Sequence, residues 1–85
     1  MSKADEQLIQ RLKQAPADDF YLILRVSGDV AEVAQRLRAA PVEVRHALRL
    51  IGAVAVRAQG KEALRLLDEP WLVRMEEDRP VRALP

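Results

Sequence analysis

From Phe20 the chain alternates with a period of two: Phe20, Leu22, Leu24 and Val26 share one face, and Tyr21, Ile23, Arg25 and Ser27 share the other. Neighbouring strand residues point to opposite sides of a sheet, so this run predicts a strand. The same rhythm predicts a second from Val42 to Leu50, with Val42, Val44, His46, Leu48 and Leu50 against Glu43, Arg45, Ala47 and Arg49. A third runs from Ala53 to Ala58, where Val54 and Val56 oppose Ala53, Ala55 and Arg57. The fourth runs from Trp71 to Asp78, with Val73 and Met75 inward and Leu72, Arg74, Glu76 and Asp78 outward.

Between these runs the period lengthens to that of a helix. Asp29, with Glu32 three residues on, opens a stripe of Val30, Val33, Ala34 and Leu37 that stops before Pro41. Gln59-Gly60 opens another, carried by Ala63, Leu64 and Leu67 and ended by Pro70. Ahead of the first strand, Leu8, Ile9 and Leu12 mark a short amphipathic helix that Pro16 and its neighbouring aspartates terminate. Strand, helix, strand, strand, helix, strand is the order of the ferredoxin-like split βαβ arrangement, an α+β fold. Right-handed crossovers place both helices of that unit on one face of a four-stranded antiparallel sheet and leave the other face uncovered. The chain therefore divides into a helical extension (1–19), a ferredoxin-like domain (20–78) and an extended tail (79–85).

Composition narrows the function. The 85 residues carry 14 basic and 13 acidic side chains, a formal charge of +1, and the two signs are interleaved. No massed positive field exists to hold a nucleic acid. RNA-reading sheets of this topology stack bases on aromatic residues, whereas Tyr21 is the one aromatic on the exposed positions of the central strands. There is no Cys and a single His46, which excludes disulfide frameworks and thiolate zinc sites and implies neither metal nor cofactor. Ser2, Ser27 and His46 are the meagre stock for nucleophilic catalysis, so no enzyme is expected. A polar, acidic N-terminus and the lack of a long apolar run imply neither export signal nor membrane span, leaving the cytoplasm as the default address. A domain this small buries only about 60–65% of its unfolded surface, so function belongs on a surface, and a monomer is expected in the free state.

That surface is the uncovered sheet face. Parity assigns it Tyr21, Ile23 and Arg25, then Ala53, Ala55 and Arg57, then Arg74, Glu76 and Asp78, with a flat apolar centre. A competing expectation is that the N-terminal helix folds over it with Leu8, Ile9 and Leu12. Along the same stretch, Tyr21-Leu22-Ile23-Leu24-Arg25, Ile51-Gly52-Ala53-Val54-Ala55-Val56, Leu64 to Leu67 with Pro70, and Val73-Arg74-Met75-Glu76-Glu77-Asp78 follow one another in order. In order and spacing these blocks resemble the propeptides of subtilisin-like serine proteases and the free-standing propeptide-like proteinase inhibitors. The resemblance spans about Phe20 to Leu84.

The resemblance implies a subtilisin-like serine protease as partner. In that family the uncovered face packs on two surface helices of the enzyme, and acidic residues at the end of the last strand cap those helices. By position, Tyr21, Ile23, Ala53 and Ala55 would dock, and Glu76 and Asp78 would cap. The tail would enter the substrate groove through Val81, Arg82, Ala83 and Leu84, with Leu84 in the primary specificity pocket and Val81 in the apolar pocket three residues upstream. No protease follows in the chain, so action in trans is implied, as an inhibitor or a folding helper. Pro80 departs from the pattern by removing a donor from the tail's strand pairing, and Pro85 would make the link beyond Leu84 a tertiary amide. The alternative from topology alone is a small regulatory or dimerisation domain that binds a small molecule or another protein.

Overall fold

The computed structural model describes residues 2–78. Its elements run α1 (Glu6–Gln14), β1 (Asp19–Val26), α2 (Val30–Arg38), β2 (Glu43–Leu48), β3 (Ala53–Gln59), α3 (Gly60–Leu66) and β4 (Leu72–Glu77), with a 3-10 turn at Arg49–Ile51. The strands form one antiparallel sheet in the order β2-β3-β1-β4. This is the ferredoxin-like α+β fold that the alternation predicts.

The core forms because β1, β3 and β4 put their large aliphatic side chains on one side. Leu22 pairs with Val56 and Leu24 with Val54 across β1 and β3, and Met75 stands beside Leu24 on β4. These side chains are buried together with Val33, Ala34 and Leu37 of α2 and Ala63 and Leu66 of α3. The Asp29 carboxylate accepts a hydrogen bond from the Ala31 N–H at 2.9 Å and so caps α2. Glu32, the other half of the expected capping box, instead reaches Arg36 one turn on at 3.9 Å.

Residues 1–19 stand apart in the sequence, yet the described part of that segment is built into the body. Leu8 and Leu12 are buried in the common core, so α1 joins the helical layer and does not cross the opposite face. Lys3 and Ala4 add a short parallel bridge to the outer edge of β4, where the Met75 N–H donates to the Lys3 carbonyl at 2.7 Å. The end of α1 meets the start of α3 at Gly60. The Gly60 and Lys61 N–H groups donate to the carbonyls of Asp18 and Pro16, at 3.0 Å each, and satisfy helix-start donors that Gln59 does not cap with its side chain.

Two β-bulges correct the expected facing. In β2 the pairing slips between Val44 and His46, so Val44 lies opposite Val56 on the inner side while His46 lies opposite Ala55 on the outer side. His46 is exposed and does not share the face of Val44. In β4 the slip falls between the pairs of Arg25 and Val26, which turns Leu72 inward and leaves Val73 exposed, the reverse of the simple alternation. Both slips spare the interior. The first removes an imidazole from it, and the second admits Leu72 as well as Met75.

Gly60 tests the α1–α3 contact. A Cβ there would lie 2.6 Å from the backbone carbonyl oxygens of both Leu12 and Ala15, neither of which can rotate away. Gly60→Ala is expected to destabilise the fold by about 1–3 kcal/mol, and Leu12→Ala by about 2–5 kcal/mol. Urea unfolding midpoints check both, and parental stability for either variant would refute the placement of α1.

Candidate functional site: the uncovered sheet face

Because α1, α2 and α3 all contribute to the core on one side, no described element covers the other. Its central rows follow from the register. Tyr21 lies opposite Arg57, and Arg57 opposite Glu43; Ile23 lies between Ala55 and Glu76; Arg25 lies between Ala53 and Arg74. Tyr21, Ile23, Ala53, Ala55, Glu76 and Asp78 are thus brought onto or beside one surface. Val81, Arg82, Ala83 and Leu84 lie outside the described residues.

The centre of this face differs from the flat, oily patch expected. Ala53 and Ala55 are 0% and 3% exposed although they face away from the core. Alanine is short, and its neighbours on this side are long. The Arg25 Nε donates to Glu76 Oε1 at 3.1 Å, and the Arg74 Nε stands 3.8 Å from the same oxygen. Arg57 pairs with Glu43 at 3.4 Å. The bulge in β2 places Arg45 beside His46, and its guanidinium lies 4.7 Å from the centroid of the Tyr21 ring. Arg45 Nη1 is also 3.6 Å from Asp78 Oδ2.

The Arg45 guanidinium lies over the Tyr21 ring, and Arg57 stands opposite Tyr21 on β3. The Arg57 guanidinium is driven further toward its charged form, first by a hydrogen bond with the Tyr21 side chain and then by the charges of Glu43 and Asp19. Arginine is already cationic throughout the working pH range, so the charge of Arg57 is constant over that range. Tyr21 remains 42% exposed and is the largest carbon surface at the centre of the face.

The three consecutive acids at the end of β4 divide as strand geometry requires. Glu77, opposite Leu22, pairs with Arg11 of α1, while Glu76 and Asp78 belong to the arginine network of the uncovered face. The Asp78 N–H donates to the Tyr21 carbonyl at 2.8 Å, so the chain is still tied to β1 at the last described residue. The ion pairs are all partly solvated, and each contributes about 0–1 kcal/mol. Exchanging one for another partner costs little.

Sequence reasoning missed Arg45 because the inventory of the face left out β2, although parity with Glu43 already points it outward. Arg45-His46, two polar residues in succession within an otherwise alternating strand, marks the bulge that brings His46 to the same side. Elsewhere, Ser2 stands near the β4 edge and His46 on β2 at the opposite edge, and the Ser27 hydroxyl lies 3.4 Å from the Trp71 carbonyl, so these groups form no common constellation. Among the described residues no group of three or more His, Asp or Glu side chains is arranged to hold a metal ion. No helix among them is long and apolar enough to cross a membrane. Comparison with protein-family models, with curated proteins and with solved structures finds no match in any of the three.

A double-mutant cycle checks the Arg45–Tyr21 contact. Arg45→Met and Tyr21→Leu are expected to couple by about 0.5–1 kcal/mol in unfolding free energy. Strict additivity of the two variants would show that the contact contributes nothing.

Proposed function

We propose that this protein is a propeptide-like inhibitor, or folding helper, that binds a subtilisin-like serine protease through its uncovered sheet face. The observation that carries the reading is the common placement of Glu76 and Asp78 on that face, at the margin where β4 ends. A helix start offers unpaired N–H groups and a partial positive charge, so two carboxylates presented side by side at a sheet margin suit a pair of helix N-termini. Tyr21 and Ile23 supply the carbon surface next to them, and residues 79–85 continue from Asp78 into the enzyme's substrate groove as an added strand.

Docking asks for adjustment at the centre. Ala53 and Ala55 are almost fully covered in the free protein, so they touch a partner only if side chains around them move, and the exposed ion pairs on this face are weak enough to exchange. A stable complex needs about 800 Å² from this side, which the face and the tail together would have to supply.

Inhibition assays against a panel of subtilisins test the reading. The intact chain is expected to inhibit at least one member, and a version ending at Asp78 to inhibit it more weakly. Failure of both against the whole panel would reject the protease reading, whereas equal inhibition would reject the role of the tail. Glu76→Ala and Asp78→Ala are each expected to weaken binding by roughly 2- to 30-fold, the range of a carboxylate at a helix start. The loss should shrink as salt is raised. An unchanged dissociation constant would reject capping.

A further inference from the structure

Resting on the protease reading, we infer that the partner surface fitting this face is acidic, supplying carboxylates to Arg25, Arg45 and Arg74. In the free protein Glu76 serves both Arg25 and Arg74, and Asp78 serves Arg45. When the two carboxylates turn to a partner's helix starts, these three guanidinium groups lose their counter-charges at the moment the interface excludes water. Opening an exposed ion pair is cheap, but a buried cation without a partner is among the costliest features of an interface.

In the free protein Arg25 and Arg45 lie on the face itself and not at its rim. Arg25 springs from β1 between Ala53 and Arg74, and Arg45 crosses the face from β2 to lie over the Tyr21 ring. The ring offsets part of the Arg45 charge, but a cation–π contact is weaker than a desolvated ion pair. Arg57 differs because it keeps Glu43, which the capping role does not use. Selectivity follows from the same imbalance. A protease with neutral or basic docking helices leaves three cations stranded, and one with carboxylates opposite them does not.

The test must separate direct pairing with the partner from an effect relayed through Glu76 and Asp78. Dissociation constants for an inhibited subtilisin from the panel are measured for Arg25→Met, Arg45→Met and Arg74→Met, in the parent and in a Glu76→Gln, Asp78→Asn background. Arg36→Met on α2, on the helical side of the sheet, controls for net charge. Each face variant is expected to weaken binding by about tenfold or more in both backgrounds, with partial recovery for Arg→Lys and little change for Arg36→Met. Circular dichroism confirms that each variant is folded. If the losses vanish in the Gln/Asn background, or the variants bind more tightly, the arginines act only through their own carboxylates and the acidic-partner inference is overturned. If no version inhibits any subtilisin, the protease reading itself falls, and this inference with it.

Discussion

The structure depends on one layer of hydrocarbon between sheet and helices. Leu22, Leu24, Val54, Val56 and Met75 fill it from the strands, and Leu8, Leu12, Val33, Leu37 and Leu66 fill it from the helices. So short a chain spends most of its large aliphatic side chains there, because a small domain gains little from burial and loses much to chain entropy. The uncovered side is consequently left with small alanines, Tyr21, Ile23, Leu48, His46 and charged residues. The character of the outer face is thus a by-product of what the core consumes.

Charge on that outer face is arranged to be inexpensive in water and demanding out of it. Ala53 and Ala55 are almost fully covered although they face outward, and longer side chains flank them on the neighbouring strands. Pairing keeps the guanidinium groups near the surface without committing much energy to any one contact. A surface of this type stays soluble while alone, yet it discriminates sharply between partners once water is expelled, because desolvation turns weak exposed pairs into decisive ones.

The fold was largely legible in the sequence because β1 and β3 keep strict alternation. Leu22, Leu24, Val54 and Val56 sit inward, and Tyr21, Arg25, Ala53 and Arg57 outward, as their parity requires. Parity failed where an extra residue was inserted, at Arg45 in β2 and at Val73 in β4, since a one-residue slip exchanges the two faces. The place of α1 was illegible for another reason. Its stripe of Leu8, Ile9 and Leu12 says that one side must be covered but not by what, and the distinguishing clue is the missing side chain of Gly60, more than forty residues downstream. The outer face was legible in its residue types and not in its texture, because periodicity assigns a side chain to a face without saying across which neighbours it will lie.

The parallel bridge between Ala4 and Met75 has a consequence for how copies of this protein can associate. Ribbon-like polymers grow only when each molecule offers two compatible rims, one to receive and one to give. Here the rim at β4 is occupied in part by the molecule's own leading residues, which leaves the β2 rim as the more accessible of the two. Stitching between two β2 rims would close a pair and leave each copy only its partly occupied β4 rim for further growth, which disfavours long ribbons.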